Sequence, residues 1–271
     1  MNKKSVDKSQ FGDFQTPEAL AFTIVEILKK NHKLTPSVII EPSCGKGSFI
    51  KAVSDGFPGV KILGYDINHD YICEAKTTLL NSSNADQISL DVADFFELDW
   101  KSIISELSGF ILVIGNPPWV TSSELGILKS ENLPTKSNFQ NRRGIEAITG
   151  SGNFDISEWM LLRHVEWLST RTGAIAVLCK YSVARKVMRH IMNGSNPSYV
   201  GHIYPIDTKA HFNACVEACL FVLITGRGNN DCDIYESLNS TTPSRVIGAR
   251  GDDIVNNVAL RDFVWVKVQF P

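Results

Sequence analysis

The sequence predicts an α/β fold: a mostly parallel sheet of seven strands with an antiparallel hairpin at one edge and helices on both faces. Three observations carry this. Short apolar runs alternate with amphipathic stretches of helical period through most of the chain. Runs such as Phe110 to Ile114 and Gly173 to Cys179 show no polar alternation, as in strands covered on both faces. The last two runs follow one another without a helix between them, which reads as a hairpin.

Residues 1–13 are polar and are read as a mobile N-terminus. Thr16-Pro17-Glu18 then opens a helix, with Thr16 as N-cap and Pro17 at the first helical position. Leu20, Ile24, Ile27 and Leu28 form its apolar stripe, and it runs out near Lys33. Strands follow at Val38–Ile40, Val60–Tyr65, Gln87–Leu90, Phe110–Ile114, Gly173–Cys179, Tyr199–Tyr204 and Val216–Ile224. Helices are expected at His69–Leu80, Ile156–Leu168 and about Val183–Met192. Phe212 falls in the loop of the hairpin. Two stretches break the alternation. Residues 120–153 are a long polar insertion, of the kind that is functional or disordered in a compact domain. Residues 227–271 open on Gly228, Asn229 and Asn230, read as a linker or the start of an incomplete second region, and end in an apolar, strand-like piece, Phe263–Val268. The main domain is therefore placed at 14–226.

Composition narrows the function by exclusion. The 271 residues carry a net charge of −2, which excludes a histone-like coat but not a local basic face. The six cysteines form no CxxC pair and have no histidine at zinc-ligand spacing, so they read as reduced thiols with no metal site. No apolar run approaches the roughly 20 residues of a membrane span, and the first residues carry no apolar signal region. The protein is read as cytoplasmic. No nuclease arrangement of the PD…(D/E)xK kind lies in the core.

Four signals carry chemistry, each at the end of an expected strand, where open α/β sheets bind their ligands. The first is Glu41-Pro42-Ser43-Cys44-Gly45-Lys46-Gly47-Ser48-Phe49, a Gly-rich turn without the phosphate-loop spacing or the third glycine of a dinucleotide fingerprint. A plain tight strand-to-helix turn accounts for the same residues. The second is Asp66, followed by Ile67. Its carboxylate suits ribose hydroxyls, or equally a helix N-cap. The third is Asp94-Phe95-Phe96, where a carboxylate and a ring suit an adenine, or a surface Asp beside two core phenylalanines. The fourth and most specific is Asn116-Pro117-Pro118-Trp119. Two prolines fix the backbone and free carbonyls to point outward. Asn116 adds a side-chain acceptor and Trp119 a flat apolar face. Together they suit a planar amine, or else a rigid turn with a buried tryptophan.

With these motifs in this order, preceded by Phe14-Gln15-Thr16-Pro17, the chain resembles the S-adenosylmethionine (SAM)-dependent amino-methyltransferases of DNA. It is most similar to the gamma-type adenine-N6 enzymes of restriction–modification systems, over about residues 12–226. The resemblance implies a Rossmann-like methyltransferase fold and SAM as cofactor. It implies that Thr16 and Pro17 close over the methionine end of SAM, and that Glu41, Pro42, Ser43, Cys44, Gly45 and Gly47 bind that end. Asp66 and Ile67 would hold the ribose, and Asp94 and Phe95 the cofactor adenine. Asn116 and the Pro117 carbonyl would accept from the target amino group within Asn116-Pro117-Pro118-Trp119, with Trp119 stacked on the base. Phe212 is a candidate for its opposite face, with His211 a rival.

The expected mechanism follows from the nucleophile. The adenine amino lone pair is delocalised into the ring, and two acceptors on its hydrogens favour a more tetrahedral nitrogen as charge develops. A base inside a duplex must flip out to be reached, so the expected partner is double-stranded DNA. Lys180, Arg185, Lys186 and Arg189 lie in a stretch without acidic residues, and Lys129, Lys136, Arg142 and Arg143 lie in the insertion. Both groups suit phosphates, or else a solvated helix face and a polar loop. The resemblance also implies a recognition or endonuclease subunit as a further partner. Rival readings are an RNA-base or protein-glutamine methyltransferase, and a non-catalytic SAM- or DNA-binding subunit of a defence complex.

Overall fold

In the computed structural model the described residues are 14–80, 82, 84–121, 155–193, 199–226, 231–250, 253–257 and 265–267. Helix α1 (Glu18–Lys30) starts one residue later than the sequence implies, because Pro17 itself is the N-cap. Its carbonyl accepts from the N–H groups of Leu20 and Ala21. Thr16 makes no capping bond and is buried instead in the cleft described below.

The central strands form where apolar runs are buried throughout: β1 (Val38–Glu41), β4 (Ile111–Gly115), β5 (Gly173–Lys180) and β7 (Ala218–Thr225). Side chains alternate between two layers, as the two-residue period of a strand requires. Val38, Ile40, Ile111, Val113, Ile175 and Val177 pack on one face, under α4 (Trp100–Ser105), α5 (Ile156–Trp167) and α6 (Tyr181–Asn193). Ile39, Leu112, Ile114, Ala174, Ala176 and Leu178 pack on the other, under α1, α2 (Ser48–Gly56) and α3 (His69–Leu79). Each fully buried aliphatic side chain contributes about 1.5–3 kcal/mol before chain entropy is set against it.

With β2 (Lys61–Asp66), β3 (Ile88–Val92) and β6 (Tyr199–Ile206), these strands make the seven that the sequence predicts, and β6–β7–β5 is the antiparallel edge. The hairpin loop contains a short helix, α7 (Thr208–Phe212), so Phe212 ends a helical turn.

The sheet does not stop at seven. It continues through β8 (Cys232–Ile234), β9 (Arg245–Arg250), β10 (Asp253–Asn257) and β11 (Trp265–Lys267), giving the order β11-β10-β9-β8-β6-β7-β5-β4-β1-β2-β3. The stretch read as a linker therefore pairs in register with β6. Its first three strands are short and mixed in character, so no apolar run marks them, whereas β11 lies within the apolar run Phe263–Val268. Only Cys232 and Ile234, alternating with Asp233, carry the buried face of β8. Side chains reinforce the join. Tyr235 stacks on Tyr204 at 4.0 Å, His202 Nδ1 lies 3.2 Å from Asp233 Oδ2, and His32, just beyond α1, reaches the Tyr204 hydroxyl at 3.0 Å.

Residues 1–13, read from sequence as a mobile N-terminus, and all of the insertion except Val120 and Thr121 lie outside the described residues. Thr121 forms a bridge with Asp155, so the ends flanking the insertion sit side by side. Among the described residues no helix is long and apolar enough to cross a membrane.

Candidate active site

The chain leaves β1 toward β2 and β3 on one side, and places β4 and β5 on the other. This reversal opens a crevice at the carboxyl ends of the strands, the place where open α/β sheets bind ligands. A cleft of about 290 Å³ lies there. It is lined by the ends of β1, β2, β3 and β4, by the approach to α1, and by Ile156 and Met160 of α5.

The loop after β1 is shaped by its glycines. Gly45 and Gly47 have φ of +50° and +86°, a region that side chains rarely adopt. A Cβ on Gly45 would also stand 2.7 Å from Oε1 of Gln15. The loop is tied to β2 by Cys44 N–H donating to the Tyr65 carbonyl (2.8 Å) and Gly45 N–H donating to Asp66 Oδ2 (2.7 Å). Asp66 Oδ1 accepts from Asn68 N–H at 2.8 Å. Asp66 is not the cap of α3; that role belongs to Asn68, whose side chain accepts from the N–H groups of Asp70 and Tyr71. Asp66 thus faces the cleft from the end of β2.

Glu41, the last residue of β1, is 2% exposed, and its Oε2 has no hydrogen-bond partner. Burial, with Asp66 nearby, raises its pKa well above the usual carboxylate range. A Cβ on Gly115 would lie 3.4 Å from Glu41 Cγ, so the end of β4 is kept narrow where it passes this carboxyl. Cys44 is buried beside the same acids, and its thiol is pushed far upward, which makes it inert.

Asp94 Oδ1 accepts from Phe96 N–H at 2.8 Å, fixing the turn after β3. Phe95 lines the cleft but is otherwise packed into an aromatic layer, 5.2 Å from Trp100 and 5.9 Å from Trp167. The Trp100 indole N–H donates to the Phe95 carbonyl at 2.7 Å. His164 lies in the same layer. It is fully buried, both ring nitrogens lack partners, and burial pushes its pKa down to about 3.

At the end of β4, Asn116 Nδ2 donates to the Phe14 carbonyl at 2.8 Å. Its Oδ1 is buried with no partner. Buried acceptors are rarely left so, and this one is aimed by its own amide's other bond. Trp119 is 4% exposed and donates its indole N–H to the Leu178 carbonyl at 3.3 Å. Its ring lies 5.2 Å from Phe14 and 5.3 Å from Phe212, and Phe14 and Phe212 are 5.8 Å apart.

Of the residues expected from sequence, Thr16, Glu41, Pro42, Ser43, Cys44, Gly45, Asp66, Ile67, Asp94, Phe95, Asn116 and Pro118 line one cleft. Pro17, Gly47, Pro117, Trp119 and Phe212 do not line it; Gly47 instead caps α2 and packs near Ala75. Lys180 and Lys186 are not open cations. Lys180 Nζ lies 2.8 Å from Asp155 Oδ2 and Lys186 Nζ 2.8 Å from Glu158 Oε2. Arg185 is half-buried and Arg189 exposed on α6. Lys129, Lys136, Arg142 and Arg143 lie outside the described residues. Sequence reasoning missed Phe14 and Gln15 as lining residues, although both stand in the motif that ends at Pro17. It also missed Asn68, Tyr71 and Met160, which belong to helix starts and faces with no motif of their own.

Comparison with known proteins gives four findings. A family model described as N-6 DNA Methylase matches residues 1–232. The Type II methyltransferase M.NspV of Nostoc sp. (strain ATCC 29411 / PCC 7524) is 42% identical over 265 residues, covering 96% of this chain and 53% of that protein. The chain thus spans about half the length of this relative. The Modification methylase CviBIII of Paramecium bursaria Chlorella virus NC1A is 29% identical over 115 residues, 42% of this chain and 27% of that protein. Among solved structures, the type I restriction-modification system methyltransferase subunit from Streptococcus thermophilus superposes with a TM-score of 0.57 at 16% identity, over 82% of this chain and 46% of that one; it shows the shared fold.

Proposed function

Because the chain belongs to the N-6 DNA methylase family, we propose that it carries the catalytic half of an enzyme that methylates the N6 amino group of adenine in DNA, as the modification part of a restriction–modification system. The observation that carries this reading is the orphaned Oδ1 of Asn116, set at the strand end beside a cleft that holds a second orphaned acceptor, Glu41 Oε2.

The cleft residues fit SAM. Glu41 is a buried acid without a partner, suited to the cofactor's ammonium, and the left-handed glycine at 45 lets backbone approach closely. Asp66 accepts a backbone N–H on each oxygen and faces the cleft, where a carboxylate suits ribose hydroxyls. Asp94 and Phe95 take the adenine. Thr16, with Pro17 behind it, covers the methionine end. When bound, SAM supplies an electrophilic methyl on a positively charged sulfur.

The chain's own residues then act on the amine. Asn116 Oδ1 and the Pro117 carbonyl accept its two hydrogens, drawing nitrogen toward a tetrahedral shape as positive charge develops. No strong base is required for that step. The target leaves the duplex to reach the site, and its unstacking is offset by contact with aromatic rings. A recognition region or partner subunit selects the sequence, and the enzyme works in the cytoplasm beside the DNA.

The test is product identity. Methyl-labelled SAM is supplied with unmodified DNA, total RNA or protein extract, and the labelled product is identified by mass spectrometry. N6-methyladenine in DNA is expected. Label in RNA or on glutamine sinks the DNA assignment. Absence of label with every substrate, even with a recognition partner restored, favours a non-catalytic subunit.

A further inference from the structure

Resting on the reading that this chain methylates adenine, we infer that Phe14 stands where the target base goes: its ring closes the base pocket in the free protein and must withdraw before the base can stack. Nothing in the motif assigns it this part.

The acceptor is ready while the slot is shut. Asn116 Oδ1 is buried and unpartnered, so the amine's place is prepared. The aromatic walls that would hold the base, Trp119 and Phe212, have centroids 5.3 Å apart with planes crossed at 70°. A base between two faces needs about 7 Å, two stacking spacings of roughly 3.4 Å each. Phe14 fills the remaining angle, tilted 47° to Trp119 and edge-on to Phe212. A phenyl ring in this corner is a reasonable stand-in, being flat, apolar and half-buried.

Phe14 is also latched. Its carbonyl accepts the Asn116 Nδ2 bond at 2.8 Å, which sets the orientation of that carboxamide. The next residue, Gln15, accepts from Lys46 N–H on the glycine loop at 3.2 Å, and Thr16 lines the cofactor cleft. One tripeptide therefore touches the target acceptor, the glycine loop and the cofactor space. Displacing the ring makes the base-competent form a minority state, and apparent affinity for the base falls by the fraction populated.

The sign of one substitution separates a plug from a wall. A wall that contacts the base would bind it less well when trimmed; a plug that blocks the base would let it bind better. Adenosine is titrated by calorimetry into the full chain already saturated with S-adenosylhomocysteine, which fills the cofactor's own adenine site. Phe14→Ala, which also trims the cofactor cleft and is therefore titrated at its own saturating level of S-adenosylhomocysteine, is expected to bind adenosine about tenfold more tightly than the parent. Equal or weaker binding, including none by either protein, overturns the inference. If Phe14→Ala does not fold, 4-fluorophenylalanine is placed at position 14 of the otherwise unchanged chain. Its fluorine resonance is expected to move toward the solvent-exposed value on saturation with adenosine, and an unmoved resonance overturns the inference. A parent chain that fails to bind S-adenosylhomocysteine sinks the methyltransferase reading itself, at a different step of the same titration.

Discussion

The N–H of Gly45 donates to Oδ2 of Asp66 at 2.7 Å, joining the turn after β1 to the end of β2 across 21 positions of sequence. Both oxygens of this carboxylate are held by backbone, the second by Asn68 N–H. The glycine loop owes its position to the same side chain that faces the cofactor space. Hydrogen bonds to a charged group are worth about 1.5–3 kcal/mol each. Asp66→Ala is therefore expected to weaken SAM binding at least tenfold and to speed amide exchange at Gly45 and Asn68 in the free protein. Unchanged SAM affinity in a calorimetric titration would contradict the assignment.

Glu41 gives a pH dependence whose sign is fixed by its burial. Its pKa in the folded chain is raised above the ordinary 4.5. Between that value and the raised one the folded state binds more protons than the unfolded state, so stability is full below about 4.5 and is lost as pH rises through the folded pKa. Glu41→Gln is expected to remove this loss and raise Tm at neutral pH. It should also weaken SAM, because the ammonium loses its counter-charge. In the parent, SAM affinity should climb as pH rises through the same window. A variant that is both less stable and equally good at binding SAM would refute this account.

Asn116→Ala deletes the acceptor and leaves the cleft floor intact. Methyl transfer is expected to fall about a hundredfold to a thousandfold, the range seen when a single transition-state hydrogen-bonding group is removed. SAM affinity should stay within about threefold. If binding of SAM falls as far as turnover, Asn116 serves the cofactor and not the target.

Lys180 is sited for structure. It pairs with Asp155, which also caps α5 through Ser157 N–H at 2.9 Å and bridges to Thr121. The pair is largely shielded, with side chains 23% and 10% exposed. Lys180→Met is expected to cost about 1–2 kcal/mol, less than the 3–5 of a fully buried pair. Asp155→Asn keeps the cap and should cost about the same. Urea denaturation reads both, and a parental midpoint in either variant would return Lys180 to the list of free phosphate contacts.

His164 is buried without partners, with its pKa pushed down to about 3 from 6.5. The unfolded chain takes up a proton below 6.5 that the folded chain refuses until about 3. Stability is thus present above 6.5 and falls as pH drops toward 3. His164→Phe is expected to flatten the acid side of the stability profile in that window. An unchanged profile would show that the histidine finds a partner or water that the geometry lacks.

The first seven strands and the motif order are legible in sequence because parallel strands covered on both faces leave unbroken apolar runs, and chemistry sits at their ends. β11 falls within the strand-like run Phe263–Val268, but β8 to β10 are not legible: a three-residue strand such as Cys232–Ile234 shows too little alternation to stand out. The candidate site divides the same way. Asp66, Asn116 and Glu41 announce themselves by position. The partner of a buried Trp119 does not, because its indole is held by a carbonyl 59 positions away. Phe14 carries no periodic signal at all; only the folded chain brings its ring against both Trp119 and Phe212.

The cleft takes its last lining residue from α5, yet β6 is hydrogen-bonded on both sides, to β7 and to β8. The border of the chemistry and the border of the folding unit therefore fall in different places. A chain trimmed after Thr225 would retain every cleft residue while stripping Tyr204 of its stacked neighbour and His202 of Asp233. It would also bare a row of unpaired backbone groups along β6, the kind of edge that recruits other chains. Such a trimmed protein would be chemically complete and colloidally unsound, lost to aggregation before its catalysis could be measured.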